Sequence, residues 1–210
     1  MIPAFPVYLF DVDGTLLDSA ADICGALESV MAARGRADIT REMLLPYIGR
    51  HLADEFLELG FPPEEIDAMI VEYRAIYPQR KHAGTRAYPG VAGTVARMGG
   101  RKSTATTKGT PMTRAVLEQF GLIQHFDHVQ GTDGFPAKPE PDVLLKSMEA
   151  LGARPQDCLL IGDAPSDMEA GRRAGVRICA VTWGYGDPAE LAKWAPDFWA
   201  HTPEELVLGG

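Results

Sequence analysis

Cysteine is scarce in this sequence, with only 3 cysteines among 210 residues, and the three lie far apart. An odd number of widely separated cysteines does not suit the disulfide framework of a small secreted protein. Cys158 and Cys179 fall inside apolar runs that are typical of buried strands, where a thiol packs as a small hydrophobic side chain. We therefore expect Cys24, Cys158 and Cys179 to be reduced and the protein to be cytoplasmic.

Long apolar runs and excess positive charge are also missing. No stretch approaches the roughly 18 apolar residues of a membrane-spanning helix, and Met1–Pro6 lacks the basic start and unbroken apolar segment of a secretory signal. Lys and Arg number 20 against 29 Asp and Glu, which gives a net charge of -9. With no Lys/Arg-rich run, we expect neither nucleic acid nor membrane surfaces as partners. A bound divalent cation would still allow a small anionic substrate to enter.

The apolar content is ordinary, at 46% of residues, and 210 residues suit one domain with a modest insertion. A buried strand is predicted over Val7–Phe10, and a helix-only pattern follows from about 20 to 78. Beyond Gly90, predicted strands alternate with helices; the strands are Lys102–Thr106, a short one at Val129, Cys158–Ile161 and Ile178–Val181. This alternation predicts an α/β fold, in which a Rossmann-like parallel sheet forms the core and a helical segment is inserted.

Acidic residues follow two of the predicted strands. Asp11 and Asp13 come directly after Val7–Phe10, and Asp163 and Asp167 come after Cys158–Ile161. Sites in parallel sheets lie at the carboxyl ends of strands, so the four carboxylates are expected to lie close together. They would repel one another without a cation, and a set of oxygen ligands suits Mg²⁺. Turn formation by Asp11 and Asp13, or helix capping by Asp167, is the simpler structural explanation.

Polar and basic residues in two loops complete the pattern. Lys138 precedes Pro139 ahead of a predicted helix, where its ammonium group would neutralise carboxylates and contact a phosphoryl oxygen. Thr106 and Thr107 follow a predicted strand, and their hydroxyl groups suit phosphate oxygens. Taken singly, the lysine is an ordinary solvated side chain and the threonines an ordinary polar loop.

Together and in this order, the motifs DVDGT (Asp11–Thr15), Thr106, Lys138-Pro139 and GDAPSD (Gly162–Asp167) resemble those of the haloacid-dehalogenase-like hydrolase superfamily. The resemblance covers essentially the whole chain. A closer similarity, to phosphoglycolate phosphatase-like members, rests on several segments: Asp11–Ser19, Tyr88–Val91, Lys138–Pro141, Gly162–Asp167, Ala174-Gly175 and Val181–Gly186. It implies an α/β core of residues 1–17 and 85–210 and a helical cap of the C1 type over residues 18–84.

The resemblance also implies a role for each acidic residue. Asp11 would be the nucleophile that forms an aspartyl-phosphate, and Asp13 would be the general acid and then the base. Mg²⁺ would be held by the side chain of Asp11, the backbone carbonyl of Asp13 and the carboxylate of Asp163. Asp167 would lie close to the ion or bind it through water.

Two further residues would bind the phosphoryl group, namely Thr106 and Lys138. Thr107 stands where the family usually has Asn, so the neighbours of Thr106 depart from the family pattern. The expected partner is a small phosphorylated metabolite, because Mg²⁺, Lys138 and loop amides would cancel the charge of a phosphomonoester. An acid at Asp13 serves an alkoxide leaving group and not carbon–halogen cleavage, which favours a phosphatase.

The resulting prediction is Mg²⁺-dependent hydrolysis of a small phosphomonoester, with 2-phosphoglycolate as the first choice. One alternative is a phosphomutase of the β-phosphoglucomutase type. Another is a signalling receiver domain, although 210 residues with a large insertion do not fit that compact module. In the cap, Gly49 would permit close approach of the backbone and Arg50 would grip a substrate carboxylate. The simpler interpretation is that Arg50 is a solvated loop residue.

Overall fold

A computed structural model describes residues 2–207 of the chain. Its strands are β1 (Val7–Phe10), β2 (Leu17–Asp18), β3 (Arg86–Ala87), β4 (Arg101–Thr104), β5 (Cys158–Gly162), β6 (Arg177–Val181) and β7 (Phe198–Ala200). Its helices are α1 (Ala20–Ala32), α2 (Arg41–Leu44), α3 (Leu52–Glu58), α4 (Pro63–Ile76), α5 (Val91–Arg97), α6 (Thr110–Gln119), α7 (Asp142–Leu151), α8 (Pro165–Ala174) and α9 (Pro188–Ala192). Short 3₁₀ turns join several of them.

Five strands form one parallel sheet in the order β4-β1-β5-β6-β7. The predicted α/β fold with a parallel sheet is confirmed. Strand β1 lies between β4 and β5, so the loops that follow these three strands share one edge. Two details differ from the prediction. The strand predicted at Val129 is wrong, because that segment makes only an isolated bridge between Ser103 and His128, and β7 had no predicted counterpart.

The sheet is buried on both faces, as β1 illustrates. Val7 and Leu9 pack into the apolar cluster on one face, whereas Tyr8 and Phe10 pack into the cluster on the other. Successive side chains of a strand point to opposite faces, so a strand covered on both sides reads as one continuous apolar run. The chain continues from this run directly into Asp11, which places the first acidic residue at the sheet edge.

Helices α1 to α4 form a separate helical unit between β2 and β3. Its apolar cluster contains Leu27, Phe56, Met69 and Tyr77, all of them buried. Helix α4 begins with Pro63 in its first turn, as the sequence predicts, since proline lacks the N–H that has no partner there. The helical unit therefore has a hydrophobic core of its own.

Two linkers connect the helical unit to the sheet, and β2 pairs with β3 in antiparallel fashion where they meet. Asp22 of α1 is buried and accepts hydrogen bonds from the Gly84 amide (2.9 Å) and the Thr85 hydroxyl (2.7 Å) of the returning linker. The Tyr185 hydroxyl accepts hydrogen bonds from the amides of Ser19 (2.7 Å) and Ala20 (3.0 Å). Side chains on both sides of the linkers thus fix where the helical unit enters and leaves.

Two further observations concern the chain as described, residues 2–207. None of its helices is both long enough and apolar enough to cross a membrane. Cys24, Cys158 and Cys179 are all buried free thiols, and burial raises the pKa of Cys24 to about 12 and of Cys158 to about 11. These thiols therefore stay in the unreactive protonated form.

Candidate active site

The carboxyl ends of β1 and β5 bring Asp11 and Asp163 to the same edge. The register pairs Phe10 with Ile161, and the Asp11 amide donates a hydrogen bond of 3.0 Å to the Ile161 carbonyl. Gly14 has a φ of +94°, and a side chain there would collide with the Asp163 carboxylate. Glycine is therefore required in the turn after Asp11 both for its conformation and for the close approach of Asp163.

A group of three carboxylates meets at this edge. Asp11, Asp163 and Asp167 each offer an oxygen, and these oxygens lie within 4.8 Å of one another in buried positions. Asp163 is oriented by the Thr15 hydroxyl (2.8 Å) and the Tyr185 amide (2.9 Å). Asp167, in the first turn of α8, accepts a hydrogen bond of 3.0 Å from the Ala164 amide. Backbone and side-chain donors thus hold the cluster in place.

The electrostatics of this cluster fit a bound cation. Burial, together with the charge of Asp167, raises the pKa of Asp11 to about 7, although Lys138 opposes the shift. Burial and the charge of Asp11 raise the pKa of Asp163 to about 8. The Oδ2 atom of Asp11 is buried without a hydrogen-bond partner among residues 2–207. A divalent cation among these oxygens would restore their ionisation and occupy the orphaned oxygen.

Lys138 lies between two members of the cluster. Its ammonium group is 2.8 Å from Oδ1 of Asp11 and 2.5 Å from Oδ1 of Asp167, and the side chain is fully buried. Burial alone would lower the pKa of this lysine, but the charges of Asp11 and Asp167 outweigh burial and raise it. Lys138 therefore remains protonated. The structure brings it together with the acidic residues, as the sequence predicts.

Asp13 stands apart from the three-carboxylate cluster, and its side chain has different partners. Its Oδ1 accepts a hydrogen bond of 2.6 Å from the Ser19 hydroxyl, and its Oδ2 lies 3.1 Å from the Lys108 ammonium group. Asp13 also lines the cleft between the sheet edge and the helical unit. Its carboxylate is thus available to a molecule in the cleft and is held in an ion-paired arrangement.

Lys108 is a functional candidate that the sequence analysis missed. Its side chain is nearly buried, and its ammonium group contacts Asp13 and donates a hydrogen bond of 2.9 Å to the Tyr77 hydroxyl. Burial lowers the pKa of Lys108, but the charge of Asp13 and the Tyr77 hydroxyl outweigh it and raise the pKa. The signal in the sequence is the position of Lys108 two residues after Thr106. Its partner Tyr77 lies in the helical unit, 31 residues away in sequence.

The two threonines after β4 have different surroundings. Thr106 is buried, and its hydroxyl accepts a hydrogen bond of 3.3 Å from the Lys108 amide. Thr107 lines the cleft. Because β4 pairs with β1 and the Ala105 amide bonds to the Phe10 carbonyl (2.7 Å), Thr106 lies at the same edge as Asp11. The sheet therefore brings both threonines to the site.

The cleft has a volume of about 820 Å³, with the helical unit on one side and the sheet edge on the other. Gly49 lines it with a φ of +88°, and its carbonyl accepts a hydrogen bond of 3.3 Å from Ser166. A side chain at Gly49 would meet the Ala164 methyl at an ordinary 3.6 Å. Glycine is therefore favoured there by the backbone conformation, and close approach of a substrate to Gly49 stays a prediction.

Arg50 also lines the cleft, but its guanidinium group is already paired. It donates to both carboxylate oxygens of Glu58, in one case at 3.0 Å, and lies over the Tyr47 ring. Arg50 is thus neither a freely solvated loop residue nor an unpartnered cation. A substrate carboxylate would have to share this guanidinium group with Glu58 or replace that residue.

The parallel sheet, the helical unit after its first strand and the acidic edge define a hydrolase of the haloacid-dehalogenase type. The sequence profile of that family, the haloacid dehalogenase-like hydrolases, matches residues 8–181. The chain belongs to this family. The prediction that it is a phosphoglycolate phosphatase-like hydrolase, and hence an enzyme, is confirmed.

Relatives of known name cover nearly the whole chain. A phosphoglycolate phosphatase from Aquifex aeolicus is 33% identical over 208 residues, which span 96% of this chain and 94% of that protein. Phosphoglycolate phosphatase 1 from Pseudomonas aeruginosa is 34% identical over 90% of this chain and 73% of that protein. A solved haloacid dehalogenase-like hydrolase from Bacteroides fragilis aligns with a TM-score of 0.92 at 29% identity, covering 97% of this chain and 100% of that one.

Proposed function

We propose that this protein is a Mg²⁺-dependent phosphatase that hydrolyses a small phosphomonoester through an aspartyl-phosphate on Asp11. The observation that carries the proposal is the buried Asp11 carboxylate, which lies beside Lys138 and two further carboxylates and whose Oδ2 atom has no hydrogen-bond partner among residues 2–207. A carboxylate attacks a phosphate dianion only where positive charge cancels the repulsion. Lys138 supplies one such charge within hydrogen-bond distance of the nucleophile.

Asp163, Asp167 and Asp11 would hold Mg²⁺ through their side chains, and Asp13 through its backbone carbonyl. The bound ion would supply positive charge at the phosphoryl oxygens. Thr106, Thr107 and Lys138 would bind the remaining phosphoryl oxygens. Lys138 also keeps Asp11 and Asp167 at a fixed separation, because its ammonium group contacts both.

The chemistry then runs in two steps. A carboxylate oxygen of Asp11 attacks phosphorus while the bond from phosphorus to the alcohol oxygen breaks, and Asp13 gives its proton to that leaving oxygen. Water then attacks the same phosphorus, Asp13 takes a proton from it, and the bond between Asp11 and phosphorus breaks. The choice of Asp13 is supported by its place in the cleft, where the Lys108 ammonium group lies 3.1 Å from its Oδ2 atom and holds the carboxyl group in position.

We also propose residues 18–84 as the cap and 2-phosphoglycolate as the substrate. The helical unit closes one side of the cleft that contains Asp13, so a molecule held there would touch both parts of the chain. The substrate is supported by the relatives that carry the name phosphoglycolate phosphatase. Arg50, at the cap side of the cleft, offers the cation for its carboxylate.

The test is release of phosphate from 2-phosphoglycolate by the purified protein. We expect turnover with Mg²⁺, none in EDTA, and restored turnover when Mg²⁺ is added back. Asp11→Asn should abolish turnover while circular dichroism shows a folded protein, because an amide does not attack phosphorus. Appreciable turnover by Asp11→Asn would contradict the nucleophile, and full activity in EDTA would contradict the metal. Turnover only with a bisphosphate activator would indicate a phosphomutase, and phosphorylation without turnover a receiver domain.

A further inference from the structure

Glu55 of α3 is a buried acidic residue in the cap side of the cleft. The residue is only 2% exposed, and it lines the same cleft as Asp13 and Lys108. Its Oε1 atom is buried and has no hydrogen-bond partner within residues 2–207. An unpartnered buried carboxyl costs free energy, which a protein recovers when a ligand satisfies that group. Glu55 has no part in the proposed hydrolysis steps, so a different role would explain its buried position in the cleft.

Burial favours the neutral form of Glu55. It raises the pKa of Glu55 to about 8, against the attraction of Arg50 and with a smaller contribution from the nearby Glu58. Tyr73 of α4 and Cys24 of α1 lie close enough to interact electrostatically with Glu55, and both keep their protons because burial raises their pKa values. The raised pKa of Glu55 favours the carboxylic acid at neutral pH, and this form carries a hydrogen-bond donor.

The charge nearby selects the kind of ligand group. Arg50 acts on Glu55 with its positive charge and lines the same cleft. A cationic group brought to Glu55 would be repelled by Arg50, whereas an anionic group would be attracted to it. A carboxylic acid donates a strong hydrogen bond to a carboxylate. The combination of Glu55 and Arg50 therefore fits a carboxylate and disfavours an ammonium group.

We infer that Glu55 is a specificity residue whose carboxylic acid donates a hydrogen bond to the carboxylate of a phosphorylated hydroxy acid bound in the cleft. This inference rests on the proposed function and adds Glu55 to Arg50 in the recognition of the substrate carboxylate. The phosphoryl group lies at the sheet edge, and the carboxylate end lies against the cap. A phosphate ester that lacks a carboxylate has nothing for Glu55 to bind.

The test compares kcat/KM for 2-phosphoglycolate with kcat/KM for phenyl phosphate in the same protein. In Glu55→Leu the ratio should fall at least about tenfold, as expected for loss of a hydrogen bond to a charged group. In Glu55→Gln it should stay within about threefold of the wild type, because the amide still donates. Asp54→Asn, an exposed neighbour on the same helix, should leave the ratio unchanged. Equal loss with both substrates would show a structural role and overturn the inference.

The pH dependence of the same ratio separates recognition from folding. Between pH 7 and 9 the wild-type ratio should fall as Glu55 loses its proton, whereas the ratio for Glu55→Gln should stay flat, since an amide does not titrate. Asp11, Asp13 and the metal are the same in Glu55→Gln, so whatever they contribute to the change of the ratio appears in both proteins. A wild-type ratio that falls no more than the ratio of Glu55→Gln would overturn the inference.

A binding measurement tests the contact without turnover. Calorimetry with Asp11→Asn and 2-phosphoglycolate in Mg²⁺ should give a dissociation constant that rises at least about tenfold when Glu55→Leu is added. An unchanged dissociation constant would overturn the inference. If the wild type releases no phosphate from either substrate, the proposed function fails, and this binding result still decides the role of Glu55.

Discussion

In the proposed mechanism, Asp13 is the group whose effect depends most on the leaving alcohol. Asp13→Ala removes the proposed proton donor, which an alkoxide needs far more than a phenolate with a low pKa does. We expect the phosphorylation step to slow much more for an alkyl phosphate than for 4-nitrophenyl phosphate. Single-turnover rates with the two esters provide the measurement. Equal losses with both esters would argue that Asp13 has another task.

The guanidinium group of Arg50 is paired with Glu58, so a Glu58 variant is a matched control for an Arg50 variant. Arg50→Ala should lower kcat/KM for 2-phosphoglycolate by roughly 10- to 150-fold, the factor that corresponds to about 1.5–3 kcal/mol for a charge-assisted bond. Phenyl phosphate should change much less. Glu58→Gln keeps the cation and removes its competitor, so kcat/KM for 2-phosphoglycolate should not fall. An equal loss of kcat/KM in Arg50→Ala and Glu58→Gln would indicate that the ion pair stabilises the cap and does not bind the substrate.

The raised pKa of Glu55 should also make the free energy of unfolding depend on pH. Its pKa is about 8 in the folded protein, above its ordinary value of 4.5. The folded state therefore holds this proton more tightly, and the stabilisation is complete below pH 4.5 and is lost as pH rises through 8. The free energy of unfolding of Glu55→Gln should fall less than that of the wild type between pH 6 and 9. Urea denaturation in EDTA measures this, and parallel curves would contradict the raised pKa.

The linkers between the helical unit and the sheet depend on Asp22. Asp22→Ala leaves the Gly84 amide and the Thr85 hydroxyl without their acceptor, which typically costs about 1–3 kcal/mol for a buried group. We expect that loss in the free energy of unfolding by urea. Asp67→Asn, an exposed acid on α4, is the control and should change stability by less than about 0.5 kcal/mol. No loss in Asp22→Ala would show that other contacts hold the linkers.

The strands that the sequence predicts well are those with a continuous apolar run. β1 and β5 are buried on both faces, and nearly all of their residues are apolar. β7 has only three residues, and its pairing with β6 depends on a segment about 20 residues away, so its own composition carries little signal. At Val129 the apolar residue is buried, yet its neighbours make one bridge only.

In the site as well, residues with a local sequence signal are predictable, and contacts between distant segments are not. The edge residues Asp11 and Asp163 are predictable because strand ends in a parallel sheet converge. Lys138 follows no strand, and it is predicted from its place in the motif pattern. The partners of Lys108 and the burial of Glu55 depend on how the helical unit folds back over the edge, and no local spacing reports that. The sequence predicts that Arg50 meets a substrate carboxylate, but its pairing with Glu58 depends on the turn of α3 that brings residues 50 and 58 together.

Metal binding should affect the whole molecule, because the acidic cluster joins two strands that are distant in sequence. The proposed Mg²⁺ site exists only in the folded arrangement, so Mg²⁺ should raise Tm, and the stabilisation should grow with the logarithm of its free concentration above the dissociation constant. We expect a higher Tm in 10 mM Mg²⁺ than in EDTA for the wild type, and little difference for Asp163→Asn, which lacks one ligand charge. Scanning calorimetry provides the measurement. An equal rise in both proteins would indicate a salt effect.

The antiparallel pairing of β2 with β3 has a consequence for how this chain is organised. The segment of residues 19–85 begins directly after β2 and ends directly before β3, so the pairing of these two strands closes it as one long loop. The entropy of closing a loop grows only slowly with its length, so a doubling costs about 0.6 kcal/mol. We therefore expect a change in the length of this segment to leave the register of the parallel sheet and the acidic edge unchanged, while it alters the cap side of the cleft.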